Sequence, residues 1–331
     1  MTNTYASVLA DAIQGFILER QALGYSFRKQ AASLMRFDKF CIEVGHSQAC
    51  LSKGLAMKWA EKRLWESADA QSRRIRLVRM LARYMVRVGY DAYIYPDNLG
   101  VGQSDKYDPY LFTEKELAKF LCRVDQCPPV NSSPYRHLVF PLLYRMLYGC
   151  GLRVSEALNL DVRDVNMEDG TLTIRNGKFH KDRLVPMSPP LVARCRTYID
   201  AMHPVKHLEQ PFFPAAHGGR YSQKSIYDYF RRFIWEAGIS HGGRGKGPRV
   251  HDLRHTFAVH CLKRWVRSTV DLTVALPYLS AYLGHAGLKG TQRYLRLTAE
   301  LFPDIVKVMD ERFSHVPLCA NVNETLPPPG I

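Results

Sequence analysis

Apolar residues recur every three or four positions in four segments at the start of the chain, a spacing that lines up one face of an α-helix. Gly24, Gly45 and Gly89 follow three of these segments, where glycine commonly ends a helix. The pattern predicts a small all-α domain over residues 1–94. Its four helices are expected at Val8 to Leu23, Ala31 to Val44, Leu51 to Leu64 and Ser67 to Val88.

The helical spacing is interrupted between Tyr95 and Tyr110, a stretch that contains prolines and glycines, so we expect a linker at residues 95–111. Thr113 and Glu116 have the spacing of an N-terminal capping box, which predicts that a second domain begins here with a helix and covers residues 112–313. Residues 314–331, with consecutive prolines, are expected to form a tail that is disordered or holds a neighbouring subunit.

The second predicted domain combines helical segments with a single pair of short strands. Thr171 to Arg175 and Arg183 to Met187 read as strands, and the Asn176-Gly177 dipeptide between them is typical of a hairpin turn. The expected fold is therefore mainly α with a small β-sheet. Helices are predicted at Glu114 to Val124, Tyr135 to Tyr148, Leu191 to Met202, Ser222 to Ala237 and about Pro303 to Arg312.

Composition adds information about partners. Lys and Arg number 46 against 31 Asp and Glu, and the formal charge of +15 favours a polyanionic partner, with nucleic acid the simplest choice. The chain has no apolar run of the roughly 18 residues typical of a transmembrane helix and no secretory signal pattern, so we expect a cytoplasmic protein without membrane contact. The eight cysteines form no CxxC pair, which argues against a zinc site or a disulfide framework.

The fourth predicted helix carries arginines on one stripe and apolar residues on the adjoining side. Such a stripe suits a DNA phosphate backbone, and a solvated helix face is an equally good interpretation. Acidic residues are absent between Asp69 and Asp91, so this segment lacks the counter-charges usual on a solvated face. The candidate DNA-binding residues here are Arg73, Arg74, Arg76, Arg79, Arg83 and Arg87.

Two basic segments stand out in the second domain. Lys178 and Lys181 lie at the hairpin tip, where lysines serve either solubility or contact with a substrate groove, and charge alone leaves both open. The stretch from His241 to Arg249 is rich in glycine and basic residues, so it is suited to a phosphate backbone. The candidate DNA-binding residues in this half are Lys181, Arg183, Arg244, Lys246 and Arg249.

The sequence from Gly151 to Leu160 predicts a glycine turn followed by a short helix that starts near Arg153. Free backbone N–H groups at a helix start favour an anion, as does the guanidinium. Glu156 lies one turn later, in a position to hold a basic side chain. An ordinary surface pair of Arg153 and Glu156 is the alternative interpretation.

The densest candidate chemistry lies in three motifs, HDLRH, LGH and TQRY, between residues 251 and 294. His251 and Arg254 are three residues apart, so a helix would present an imidazole and a guanidinium side by side to a phosphate. His285 adds a second imidazole, and Tyr294 adds a phenol that is able to form a phosphate ester. The spacing leaves two rival nucleophiles, Tyr278 and Tyr282.

In their order and spacing, GLRxSE, the lysine-tipped hairpin, HxLRH, LGH and TxxY resemble the motifs of the tyrosine recombinases, the phage integrase family. The resemblance covers Phe112 to Arg312 by motif and the N-terminal helices by architecture only. It implies an N-terminal all-α core-binding (SAM-like) domain and a mixed α/β catalytic domain. It also implies catalytic roles for Arg153, Lys178, His251, Arg254, His285 and Tyr294, with Glu156 as a supporting acidic residue.

In the reaction that the resemblance implies, Tyr294 attacks a scissile DNA phosphate and forms a 3′-phosphotyrosyl link with release of a 5′-hydroxyl. No metal, nucleotide or other cofactor is required, because the ester retains its energy for rejoining. Arg153, Arg254 and His285 hold the phosphate oxygens. Proton transfer at the two reacting oxygens is assigned to Lys178, on the leaving 5′ oxygen, and to His251, at Tyr294.

The resemblance implies a simple two-domain site-specific recombinase or integrase, serving a mobile element and associated with the nucleoid. Its partner is double-stranded DNA at specific sites, where monomers from solution assemble as a homo- or hetero-tetramer on two DNA sites. Two alternatives remain. One is a type IB topoisomerase-like enzyme, which shares the phosphotyrosine chemistry and works alone, and the other is a non-catalytic DNA-binding regulator on the same scaffold.

Overall fold

The computed structural model describes residues 5–100, 108–175, 182–205, 207–243, 247–285, 287 and 289–301. The chain divides into two compact units, Met1–Asp108 and Pro109–Ile331. Helices form most of the described structure, and the second unit also contains a three-stranded sheet, which confirms the expected fold class. Four predicted site residues, one predicted helix and the predicted tail lie outside the described residues, namely Lys178, Lys181, Arg244, Lys246, the helix at about Pro303 to Arg312, and residues 314–331.

The N-terminal unit is built from the four helices that the apolar spacing predicted. Ser52 and Ser67 cap the third and fourth helices, because their hydroxyls accept hydrogen bonds from the N–H groups of Leu55 and Ala70 at 3.3 and 3.2 Å. The third helix ends earlier than expected, at Ala60. The four helices are α1 (Ala10–Ala22), α2 (Arg28–Glu43), α3 (Lys53–Ala60) and α4 (Ala68–Arg87).

The start of the predicted linker packs on this unit. Tyr95 is 1% exposed, and its hydroxyl donates a hydrogen bond to the carbonyl of Ala56. Arg79, on α4, donates to the carbonyls of Tyr95, Pro96 and Leu99 at 3.1, 2.6 and 2.7 Å. Residues 95–100 are therefore tied to α4 by long-range hydrogen bonds that local spacing does not reveal.

Helices also account for most of the second unit. The capping box predicted at its start is present, since Thr113 Oγ1 accepts from the N–H of Glu116 at 3.2 Å and the Glu116 carboxylate accepts from the N–H of Thr113 at 2.9 Å. Within the described ranges of both units, no helix has the length and apolar character needed to cross a bilayer. The helices are α5 (Glu114–Asp125), α6 (Arg136–Gly149), α7 (Val154–Leu158), α8 (Pro189–Met202), α9 (Gln223–Glu236), α10 (Asp252–Arg267), α11 (Leu272–Leu283) and α12 (Lys289–Leu301).

The sheet contains the predicted hairpin and one additional strand. Its antiparallel strands, in order, are β1 (Val165–Asn166), β2 (Thr171–Ile174) and β3 (Arg183–Pro186). The first strand has only two residues, too few to show an alternating pattern. Ile174 pairs with Arg183, so Arg183 lies at the end of β3 next to the hairpin tip.

Helix α6 forms the centre of the second unit, where it packs against α5, α8 and α10. Its rings Phe140 and Tyr144 contact Phe230 and Phe233 of α9 with centroids at most 6.1 Å apart. Pro141 lies within α6, and the helix continues through it. The carboxyl end of α6 is thereby held beside α10, which brings the GLR and HDLRH motifs together.

Candidate active site

Two glycines let the motif segments approach each other closely. Gly151 has φ +57°, and a Cβ there would lie 2.6 Å from the Phe257 ring. Gly284, at the end of α11, has φ +64°, and a Cβ there would lie 2.8 Å from Nη1 of Arg183. Both positions therefore require glycine for backbone conformation and for space. This explains physically why the GLR and LGH motifs contain glycine.

Arg254 joins these two turns from α10. It is 1% exposed, and it donates from Nη1 to the Gly151 carbonyl at 2.7 Å and from Nη2 to the Leu283 carbonyl at 2.6 Å. Burial, followed by the charge of Arg153, lowers the pKa of Arg254 to about 10. The guanidinium therefore remains protonated at neutral pH, held rigidly by two backbone carbonyls.

Arg153 reaches the next carbonyl along the same turn. It donates from Nη2 to Gly284 O at 3.0 Å and from Nη1 to Glu156 Oε1 at 2.6 Å. The backbone N–H of Arg153 donates to the other Glu156 oxygen at 2.9 Å. That N–H, which the sequence argument assigned to an anionic ligand at the helix start, is therefore occupied by Glu156.

Glu156 holds two arginines. It is 8% exposed, which rules out an ordinary surface pair. Arg183 donates to both carboxylate oxygens at 3.0 and 2.8 Å, and its Nε donates to the Tyr282 carbonyl at 2.9 Å. Arg183 was predicted as a DNA contact, and its side chain, 11% exposed, pairs with Glu156 and positions the carboxylate. This pairing joins β3 to α7 across 27 residues.

The cluster carries excess positive charge. Arg153, Arg183 and Arg254 surround one carboxylate, with Arg254 Nη1 4.0 Å from Glu156 Oε2. Burial raises the pKa of Glu156, but hydrogen bonds from Arg183 and the Arg153 N–H and their charges outweigh it and bring the pKa to about 2. Three guanidiniums against one carboxylate leave two positive charges in a partly buried site, which suits a phosphate group.

Replacing Glu156 by Gln is expected to remove an acid-sensitive contribution to stability. Because the folded-state pKa of Glu156 lies below its ordinary value of 4.5, its contribution is present above about pH 5 and is lost as the pH falls toward 2. The full effect corresponds to about 3 kcal/mol. Urea unfolding between pH 7 and pH 3 measures it. The exposed Glu209, which pairs with Arg163, provides the control Glu209→Gln. Equal pH dependence in parent and Glu156→Gln would contradict the expectation.

Tyr294 lies on α12 inside this site. It is 2% exposed, and its hydroxyl is 2.9 Å from Nδ1 of His255. Its ring stacks on His285 with centroids 6.0 Å apart, while His285 Nδ1 lies 2.9 Å from Thr291 Oγ1. Burial raises the pKa of Tyr294, while the charge of Arg254 and a hydrogen bond with it act in the opposite direction. The phenol is therefore protonated at neutral pH and adjacent to Arg254.

The rival tyrosines have different surroundings. Tyr278 is 71% exposed on α11. Tyr282 donates its hydroxyl to the Pro186 carbonyl at 3.1 Å and stacks on Phe257 with centroids 5.5 Å apart. Of the three tyrosines, Tyr294 is thus the one that the described contacts place between His255 and His285.

Sequence reasoning assigned proton transfer at Tyr294 to His251, whereas the observed contact is made by His255. His251 directly precedes α10 and is exposed, and its ring meets the His255 ring edge-on with centroids 4.7 Å apart. The HDLRH motif could have identified His255 as a second candidate, because residues four apart, such as His251 and His255, share a helix face.

The predicted DNA contact Arg249 is exposed just before α10, and its N–H donates to Asp252 at 2.7 Å.

The arginines of α4 have partners from other parts of the chain. Arg74 pairs with Glu66 at 2.7 Å, Arg83 with Asp97 at 2.8 Å, and Arg87 with Glu19. Arg73 pairs with Asp69 on its own helix, and Arg79 binds carbonyls. The counter-charges that the sequence argument found missing are therefore largely supplied by residues outside the helix.

Arg76 is exposed and, like Arg73 and Arg74, lines a groove beside α4. The groove has a volume of about 580 Å³ and lies within the N-terminal unit. Its lining includes basic residues of α2 and of the segment after α3 that the sequence analysis did not select. The basic lining residues are Lys29, Arg36, Arg63, Arg73, Arg74 and Arg76, with Glu66 among them.

Across the parts of the chain that the structure describes, no three His, Cys, Asp or Glu side chains come together in a way that would hold a metal ion. The described site consists of guanidinium, imidazole, carboxylate and phenol groups. Those groups bind an anion, transfer protons and offer a nucleophilic oxygen.

Comparison with known sequences extends over nearly the whole chain. A profile described as the phage integrase family matches residues 111–300. The putative integrase/recombinase y4rB of Sinorhizobium fredii is 30% identical over 317 residues, covering 93% of this chain and 98% of that protein. Tyrosine recombinase XerA of Pyrococcus furiosus is 33% identical over 201 residues, covering 60% of this chain and 61% of that protein.

Solved structures share the fold. The XerH site-specific recombinase, in a post-cleavage complex with palindromic difH substrate, matches with a TM-score of 0.62 at 24% identity, covering 88% of this chain and 82% of that chain. The Tn1549 transposon integrase, in complex with transposon right end DNA, matches with a TM-score of 0.62 at 17% identity, covering 92% of this chain and 99% of that chain. At these identities the similarity concerns the fold alone.

Proposed function

This chain belongs to the phage integrase family, and we propose from that premise that it is a tyrosine-type site-specific recombinase that cuts and rejoins double-stranded DNA through Tyr294. One observation carries the proposal. A phenol adjacent to Arg254 lies beside a cluster in which three guanidiniums share one carboxylate. An anionic phosphate held by the excess charge would be presented to the Tyr294 oxygen.

The proposed reaction is a transesterification. The Tyr294 oxygen attacks phosphorus, the bond to the 5′ oxygen breaks, and a 3′-phosphotyrosyl link forms. Arg153, Arg254 and His285 stabilise the negative charge that builds on the phosphate oxygens, as preorganised donors do in other enzymes. Lys178, the family's hairpin lysine, is proposed to protonate the leaving oxygen. One ester replaces another, so no metal or nucleotide is required to drive the step.

The first experiment is a nicked suicide oligonucleotide, from which the fragment beyond the scissile phosphate diffuses away and leaves the protein covalently attached. A recombinase or a type IB topoisomerase gives an adduct on denaturing gels, whereas a non-catalytic DNA-binding regulator gives none. Exchange of flanks between two marked duplexes then separates recombination from relaxation by a topoisomerase. Absence of any adduct on the correct target site would reject the proposal.

We extend the proposal to assembly and biological setting. The palindromic substrate of the XerH complex has two equivalent halves, and such symmetry suits one protein copy per half, so two sites would take a tetramer. The relative that aligns over almost its whole length is named a putative integrase/recombinase, which favours a mobile element as the setting. Mapping the DNA bound in cells and sequencing trapped junctions tests both the setting and association with the nucleoid.

We also propose that the groove beside α4 contacts the DNA backbone, and that Arg76, an exposed basic residue of α4 that lines it, makes one of these contacts. Substituting Arg76 by Ala should weaken binding to DNA of any sequence. The slope of log K for DNA binding against log salt concentration should become less steep by about 1, because one phosphate contact is lost. The melting temperature should stay close to that of the parent, since the side chain is exposed. Binding measured at several salt concentrations is the test.

Arg79→Ala is the matched control on the same helix. Its side chain is 12% exposed and donates to three carbonyls, so its loss should lower stability by about 2–3 kcal/mol. The salt slope of the folded variant should not change. An unchanged slope for Arg76→Ala, or a reduced slope for Arg79→Ala, would show that the backbone contact lies elsewhere.

A further inference from the structure

His255 is the last residue of the HDLRH motif and received no role from the family resemblance, yet its Nδ1 lies 2.9 Å from the Tyr294 hydroxyl. The two rings are 5.5 Å apart by centroid, and they come from α10 and α12, which pack against each other. The hydroxyl oxygen of Tyr294 is the atom that the proposed function makes nucleophilic. His255 therefore touches a reacting atom directly.

The surroundings of His255 keep its ring neutral. Burial lowers the pKa of His255 to about 3, and electrostatic interaction with four ionisable neighbours adds to the effect. These neighbours are His251 just before α10, Arg254 on α10, Arg293 on α12, and His285 after α11. A neutral imidazole carries a proton on one nitrogen and a free electron pair on the other. Nδ1 can therefore accept the hydrogen bond from the Tyr294 O–H, with the ring proton on Nε2.

We propose that His255 accepts the phenolic proton of Tyr294 as the phenol oxygen attacks the DNA phosphate, which makes His255 a catalytic residue. The proposal rests on the proposed function. The O–H bond breaks as the oxygen–phosphorus bond forms, and Nδ1 takes the proton. The electron pair of the broken phosphorus–oxygen bond goes to the 5′ oxygen, which is protonated separately. In rejoining, the imidazolium returns the proton to Tyr294, so the cycle balances.

The same neighbours make the base responsive to DNA. Arg254 and Arg293 lower the proton affinity of His255 through positive charge. A bound phosphate brings negative charge among these groups and offsets them, since an opposite charge nearby favours the protonated imidazole. The proton affinity of His255 therefore rises when the scissile phosphate arrives.

The test compares His255→Asn with His255→Ala. The Asn amide occupies roughly the position of Nδ1 and keeps a hydrogen bond to the phenol, but it does not take up a proton. The control is His260→Asn, because His260 lies on the same helix and contacts the Tyr148 hydroxyl through Nδ1 at the same distance of 2.9 Å. Thermal melting and DNA binding verify that each variant is folded and binds its site.

On the nicked suicide substrate, both His255 variants should form adduct on the order of 10² more slowly than the parent at neutral pH, as expected for loss of a general base. His260→Asn should match the parent. A substrate with sulfur in place of the bridging 5′ oxygen needs no proton on its leaving group. This substrate should restore fast cleavage to Lys178→Ala, which lacks the proton donor for the leaving group. It should not speed up cleavage by the His255 variants, because they lack the group that takes the proton from the attacking phenol.

The pH profile gives a second readout that a positioning role would not change. Cleavage by the parent should level off above the pKa of His255 in the DNA complex, whereas cleavage by His255→Ala should keep rising toward the pKa of the phenol. The role of His255 as proton acceptor is overturned if His255→Asn cleaves within a few-fold of the parent rate. It is also overturned if His255→Ala has the same pH profile as the parent. If Tyr294→Phe still forms adduct, the proposed function fails. If Tyr294→Phe is inert while His255→Ala cleaves normally, only the present inference fails.

Discussion

Substituting Tyr294 by Phe should abolish the covalent protein–DNA adduct while leaving DNA binding intact. The change removes the oxygen that forms the phosphotyrosyl ester, and no other atom of the ring can replace it. The Phe ring should keep the packing against His285 and the apolar residues of α10 and α11. Loss of the contact with His255 should reduce stability by only about 1 kcal/mol. Denaturing gels of the nicked substrate measure the adduct, and gel shifts measure binding.

The other two tyrosines provide matched controls. Tyr282→Phe loses the hydrogen bonds of its hydroxyl to the Pro186 carbonyl and with Cys150, and Tyr278→Phe changes an exposed side chain. Both should form adduct at close to the parent rate. A persistent adduct with Tyr294→Phe, combined with its loss in either control, would assign the nucleophile to that other tyrosine.

The burial of Tyr294 bears on when it can react. The phenol is 2% exposed and therefore shielded from solvent. Burial raises its pKa, so the hydroxyl is protonated and a weak nucleophile. Attack requires DNA to bring a phosphate to the hydroxyl, and a base must then remove the proton. The site as described therefore couples reactivity to DNA binding.

Some features of this site could be predicted from the sequence because their determinants are local. The three-residue spacing of His251 and Arg254, the capping box at Thr113 and the glycines of GLR and LGH each lie within one short segment. Gly284 shows the limit of such reasoning. Its left-handed conformation is a local property, but the approach of Arg183 to within 2.8 Å of its Cβ position arises from a distant strand.

The features that the sequence did not reveal are long-range. Arg183 was placed among DNA contacts because strand position and charge cannot identify Glu156, 27 residues away, as its partner. The arginines of α4 were grouped as one stripe because Glu19, Glu66 and Asp97 lie outside that helix. Periodicity identifies which residues share a face, and only tertiary packing decides which charges on that face are neutralised.

Arg153→Ala should slow cleavage on the order of 10²–10³, the usual cost of losing one preorganised donor to a developing oxyanion. Arg153 is the better arginine for this test, since its side chain is 20% exposed and joins Glu156 to a single carbonyl. Arg254 is 1% exposed and supports two turns, so Arg254→Ala would confound catalysis with folding. Single-turnover cleavage with saturating protein isolates the chemical step.

Arg145→Ala is the control, because Arg145 is 16% exposed and makes a two-point contact with Asp125 at 2.6 Å. It should lose comparable stability and cleave at the parent rate, so any rate difference between the two variants reports on the phosphate rather than on the fold. Arg153→Lys separates charge from geometry. The lysine ammonium keeps the positive charge but lacks the planar guanidinium that donates to both Glu156 and Gly284. Arg153→Lys should therefore retain most of the cleavage defect of Arg153→Ala. Cleavage by Arg153→Ala within a few-fold of the parent would mean that this guanidinium orders the turn and does not contact the phosphate.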